Sequence, residues 1–243
     1  MNGRERISCA ALGVIAAFVL TACGGGGGTS ATPVTSTPPV STASVVDSSA
    51  SALSLDENPE IVVGDTSAFG TIVGAPGNAT VDGLSCLSAM QGTTHYHVHF
   101  SLFVNGHQYA IPAGTGIYEP GVYEPQYLVM ASAASNACYY EIHTHALEGM
   151  IHIEDHLAGT VLTLGELLDI WGQQLSVSGF GPFSGATRWF DTDETGGAAG
   201  THTVTEQTGT DPHLISMIDH HEYTVEVGPS YVNIPNFTWS GYP

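Results

Sequence analysis

The clearest pattern in the chain runs from His95 to Val104, where apolar and polar side chains alternate. Tyr96, Val98, Phe100, Leu102 and Val104 fall on one side, and His95, His97, His99, Ser101 and Phe103 on the other. Period-two alternation with aromatic and β-branched residues predicts a strand. Asn105-Gly106 follows as a hairpin signal, and Gln108 to Ile111 reads as the returning strand, ended by Pro112-Ala113-Gly114. Residues 115–137, rich in Gly, Pro, Ser and Tyr, read as an excursion. A second pair of short strands is predicted over 139–145 and 150–154, with Gly149 between them. Thr163-Leu164-Gly165-Glu166 is a capping box opening an apolar run through Leu167, Leu168, Ile170 and Trp171. It predicts a helix over 164–171, stopped by Gly172. Residues 187–191 and 222–227 read as further strands, 195–212 as a polar Gly-rich loop, and 229–243 as an irregular aromatic tail.

Strands outnumber the single short helix, which makes the expected class α+β and strand-dominated. The order strand, strand, helix, strand, strand across 140–227 matches by analogy a β-grasp-like sheet with its helix laid across one face. A β-sandwich or barrel with one helix is the alternative.

The N-terminus carries Arg4 and Arg6, then an apolar run from Ile7 to Leu20. That run is short for a membrane span and suits the core of a signal peptide. It ends in Leu20-Thr21-Ala22-Cys23, which resembles the bacterial lipobox. Residues 1–22 are therefore expected to be a lipoprotein signal peptide and Cys23 the lipidated first residue of the mature chain. Residues 23–58, mostly Gly, Ser, Thr, Ala and Pro, read as a disordered tether that buries too little surface to offset its ordering entropy. Residues 59–243 remain as one folded domain. The implied address is the bacterial cell envelope, at the outer membrane, with the lipid as the sole membrane contact.

Removal of the leader leaves Arg188 as the sole Lys or Arg, against all but one of the 23 acidic residues. So negative a field repels nucleic acid and attracts cations. Of the four cysteines, Cys9 leaves with the leader and Cys23 takes the lipid. Cys86 and Cys138 remain, and in an exported domain two cysteines most often pair; two thiolate metal ligands are the alternative.

The 12 histidines cluster in two groups. One is His95-x-His97-x-His99. The other is His143-x-His145 followed by His152-x-Glu154. Alternate positions on a strand project from one face, roughly 6.5–7 Å apart, so two imidazoles can lean toward one ion. Pairs of this kind on neighbouring strands are a usual way to hold zinc or copper. The candidate ligands are His97, His99, His143, His145, His152 and Glu154. His95 and Glu141 are weaker candidates, for support behind the ligands. An unmetallated polar network and a solvated, pH-sensitive histidine face are the alternatives. His107, His156, His202, His213, His220 and His221 read as surface residues.

His143-Thr144-His145, Gly149-Met150-Ile151-His152-Ile153-Glu154 and Leu164-Gly165-Glu166-Leu167-Leu168-Asp169-Ile170-Trp171-Gly172 resemble a family of uncharacterised exported bacterial proteins. That family carries a His-Thr-His-Asp-x-x-Gly-x-Ile-His-x-Glu run followed by a Leu-Gly-x-Phe-Phe-Asp-x-Trp-Gly helix. His97-Val98-His99, Asn105-Gly106 and Ile111-Pro112-Ala113-Gly114-x-Gly116-Ile117 also fit, so the resemblance covers about 83–243. It implies no activity. Ala146 stands where the family usually has Asp, which weighs against catalysis.

Three functional classes follow. The first is an envelope-anchored lipoprotein holding copper or zinc. The second is a metal-dependent envelope enzyme, for which no His-Glu-x-x-His helix, Gly-x-Ser-x-Gly elbow or phosphate loop is present and no catalytic residue is assigned. The third is a non-catalytic interaction module with a structural histidine network, making contact through Tyr118, Tyr123, Tyr127 and Trp189.

Overall fold

The longest strand, β1 (Thr94–Val104), separates an apolar side of the molecule from a polar one. The computed structural model describes residues 53–54, 64–77, 79–90, 92–123, 128–155, 159–195, 202–229, 234 and 237–239. The expected leader, Cys23 and all of the expected tether except Leu53–Ser54 lie outside those residues, as do Tyr127 and His156. Leu53–Ser54 pairs in parallel with Phe237–Thr238.

Around β1 a mixed sheet is assembled from β2 (His107–Tyr109), β3 (Ile142–His143), β4 (Met150–Asp155), β5 (Thr187–Asp193), β6 (Thr203–Glu206) and β7 (His221–Val227). The order is β6-β5-β7-β1-β4-β3, with β2 beside the far end of β1. β7 runs parallel to β1, and the other pairings in this sheet are antiparallel. The first and last long strands thus lie together at the centre, each with an antiparallel partner outside it. The helix α1 (Leu164–Trp171) connects the two halves. This is the β-grasp order expected from the sequence, and the open edges at β6 and β3 exclude the barrel alternative.

The strand that opens this order is β1, not 139–145 as expected. To this sheet residues 139–145 supply only the two-residue edge β3, because their flanks bond to the segment at 114–118 instead, where Cys138–Tyr139 pairs with Ile117–Tyr118. Tyr140 N donates to Gly116 O at 2.9 Å and Thr144 N to Thr115 O at 2.9 Å. Gly116 sits at φ 81, and a Cβ there would collide with the Ile142 carbonyl. The expected loop at 195–212 contains β6, which carries one inward apolar residue, Val204, too few to show as a pattern. The expected excursion contains a small hairpin, Pro120–Tyr123 with Leu128–Ala131.

Helix α1 begins and ends as its sequence dictates. Thr163 Oγ1 accepts from Glu166 N, the Glu166 carboxylate accepts from Thr163 N at 2.6 Å, and Gly172 closes the helix at φ 73. Leu164, Leu167, Leu168, Ile170 and Trp171 share one apolar core with Val98, Phe100 and Leu102 of β1, Ile151 and Ile153 of β4, and Tyr223, Val225 and Val227 of β7. Each buried Leu or Ile of this layer contributes about 1.5–3 kcal/mol. Cys86 and Cys138 form the expected disulfide, 5.4 Å between Cα atoms. Among the described residues no helix is long and apolar enough to cross a membrane.

The other face of the sheet is polar and equally buried: His97, His99, Ser101, Glu222, Thr224 and Glu226 are each 3% exposed or less. Polar groups withdrawn from water need partners, so this layer is where chemistry is concentrated.

Candidate metal centre

Strand register gathers the histidines. His97 on β1 lies directly opposite His152 on β4, and His143 on β3 lies opposite the same His152 from the other side. Directly paired residues share a face, so three strands present a row of three imidazoles. His95 extends the row from β1 and His145 from the chain just past β3. Ring centroids lie 4.6 Å apart for His95–His97, 4.7 Å for His97–His152, 4.6 Å for His145–His152 and 4.7 Å for His143–His145. The five rings form one continuous cluster. It opens to solvent at His95, whose side chain is 44% exposed, and is sealed at His143.

His95, His97 and His152 each offer a ring nitrogen, and these nitrogens all lie within 4.8 Å of one another. That spacing suits three ligands of one ion. Burial, followed by the neighbouring His95, pushes His97 down to about 4, and burial with His145 holds His152 well below the ordinary histidine range. Burial and His145 likewise push His143 down to about 3, and burial lowers His145. At neutral pH these four rings are uncharged, the form that binds metal.

Backbone carbonyls set the ring orientation deeper in the cluster. His143 Nδ1 lies 2.9 Å from Tyr140 O and His145 Nδ1 2.7 Å from Val129 O. The two Nε2 atoms face each other at 3.2 Å.

His99 stands outside the cluster although it shares a face with His95 and His97. Its cross-strand neighbours are Met150 and Glu222 rather than histidines. Nδ1 lies 3.2 Å from Glu222 Oε1, Nε2 lies 2.8 Å from Glu148 O, and the ring stacks on Phe237 at 3.9 Å. Gly149, at φ 83, permits this approach, since a Cβ there would lie 2.8 Å from His99 Nε2. Glu154 does join the cluster's margin: it faces His95 in register, with Oε1 3.7 Å from His95 Nε2. Glu141 is buried at 3%, and its carbonyl accepts from Glu154 N at 2.8 Å.

The remaining described histidines sit mostly beside carboxylates. His107 pairs with Asp65, His220 with Asp219, and His221 with Asp191 at 2.7 Å. His213 joins Asp82 and Asp169 in a second group of three ligand atoms within 4.8 Å, on an exposed surface. Its members are far apart in the chain and share no ligand spacing, so the sequence pattern does not bring them together. The orienting carbonyls of Val129 and Tyr140 escape that pattern too, since any residue can supply a carbonyl. His95, expected in a supporting position, belongs to the triad itself.

No protein-family model, curated protein or solved structure matches this chain.

Proposed function

We propose that this chain is a metal-binding lipoprotein of the bacterial cell envelope that holds copper or zinc at His95, His97 and His152. The observation that carries the reading is the convergence of three ring nitrogens within 4.8 Å, from two adjacent strands. His97 and His152, uncharged at neutral pH, supply lone pairs without first having to lose a proton. The acidic surface favours the approach of a cation, and the exposed edge of His95 provides an entry. Imidazole ligands suit both metals. Lipidation of Cys23 anchors the domain to the outer membrane, and the resemblance of the histidine and helix motifs to those of an exported bacterial family supports that address.

Calorimetric titration of tag-free protein with zinc and with copper at neutral pH tests the metal reading. His97→Ala and His152→Ala should each weaken binding by about 100-fold or more, above the 10–100-fold typical of losing a supporting residue. Unchanged affinity in both variants refutes the site. Cys23→Ala should release the protein from the membrane fraction, and retention there would refute the anchor.

A further inference from the structure

We infer a second ion position between His143 and His145, distinct from the triad and adjoining it at His152. The inference rests on the metal-binding reading above and extends it to a two-ion centre.

Hydrogen-bond chemistry leads to it. A carbonyl oxygen only accepts, so the contacts of His143 Nδ1 with Tyr140 O and of His145 Nδ1 with Val129 O require a proton on each Nδ1. A neutral imidazole has one ring proton. Each Nε2 therefore carries a bare lone pair, and the two lone pairs point at each other across 3.2 Å. Without a cation this contact is repulsive, in a place where His143 is fully buried and His145 is 8% exposed. A shared cation makes both lone pairs ligands.

The separation also bears on coordination. With metal–nitrogen bonds of about 2.05 Å, a 3.2 Å nitrogen separation subtends roughly 100°, near the tetrahedral angle. A linear two-coordinate ion would hold the nitrogens about 4 Å apart at the same bond length. The position thus suits a divalent ion of the zinc class with two ligands from these rings and its remaining positions taken by water or a small ligand enclosed in the cluster. The carbonyls of Tyr140 and Val129 hold the rings from behind, as is usual for ligating histidines.

The full chain, purified without a histidine tag and loaded with zinc, should hold two ions by elemental analysis. His145→Ala and His97→Ala should each hold one, and the double variant none. In the unsubstituted protein, nitrogen NMR of the rings should show both Nε2 resonances of His143 and His145 shifting on zinc addition. That measurement needs no variant, and His145→Gln with a native near-ultraviolet spectrum guards against a folding defect. One ion in the unsubstituted protein that survives His145→Ala overturns the inference and leaves the triad standing. A single ion in the unsubstituted protein that is absent from both single variants also overturns it, in favour of one shared centre. A ring proton shared by the two Nε2 atoms that persists in excess zinc overturns it as well. No bound ion at all refutes the triad and the second position together.

Discussion

His97 and His143 flank a single residue, His152, which each meets directly across a strand pairing. Because paired positions share a face, this relation decides which of the chain's histidines can act together and which are left to other tasks.

His99 is the residue left over. Its two nitrogens serve Glu222 and the Glu148 carbonyl, and Ser101 Oγ donates to the same Glu222 oxygen at 2.8 Å. His99→Ala should leave zinc stoichiometry and affinity unchanged while lowering stability by about 1–3 kcal/mol, the cost of orphaned buried polar groups. Urea unfolding beside a zinc titration checks both halves. A loss of zinc binding at unchanged stability would return His99 to the ligand set.

The metal-free protein should lose stability in acid over a defined window. His97 and His143 have folded-state values of about 4 and about 3, below the ordinary 6.5. A value depressed by folding contributes stability that is full above 6.5 and is lost as pH falls through the folded value, because the unfolded chain takes up the proton first. Thermal midpoints measured from pH 7.5 to 4 should fall below about 6.5. With saturating zinc the decline should be steeper, since protons then compete with the ion as well. A midpoint indifferent to pH across this range would contradict the burial of neutral rings.

The disulfide should support the site as well as the fold. Cys138 lies two residues before Tyr140, whose carbonyl orients His143, and the bond to Cys86 spans a sequence separation of 52. Cys86→Ser with Cys138→Ser should cost about 4 kcal/mol by the chain-entropy argument. It should also lower zinc affinity at the His143 side more than at the triad. Guanidinium unfolding with ion counting separates the two effects. Equal stability in the oxidised and substituted proteins would contradict the prediction.

Local signals in the chain were sufficient for the first strand and the helix, which depend on near neighbours. The alternation from His95 to Val104 specifies which side chains share a face, since period two is a property of extended backbone. The Thr163–Glu166 box and Gly172 delimit the helix, because caps are made by residues three or four apart. The order of strands around that helix indicates the β-grasp plan, but with 139–145 as its opening strand where the sheet uses Thr94–Val104. β6 stayed hidden, because an edge strand with one inward apolar residue has no periodicity to detect.

Only the tertiary structure decided which histidines meet. His97, His99, His143, His145 and His152 all satisfy the same spacing rule. Strand register sends His97, His143, His145 and His152 to one place and gives His99 to Glu222 and Phe237. Register is fixed by the packing of β1, β4 and β3 in one apolar layer with α1, a sum of contacts in which β1 meets residues of β4 about 50 to 60 positions away. The protonation pattern of the inner rings is decided likewise, by two backbone carbonyls that any side chain could have accompanied.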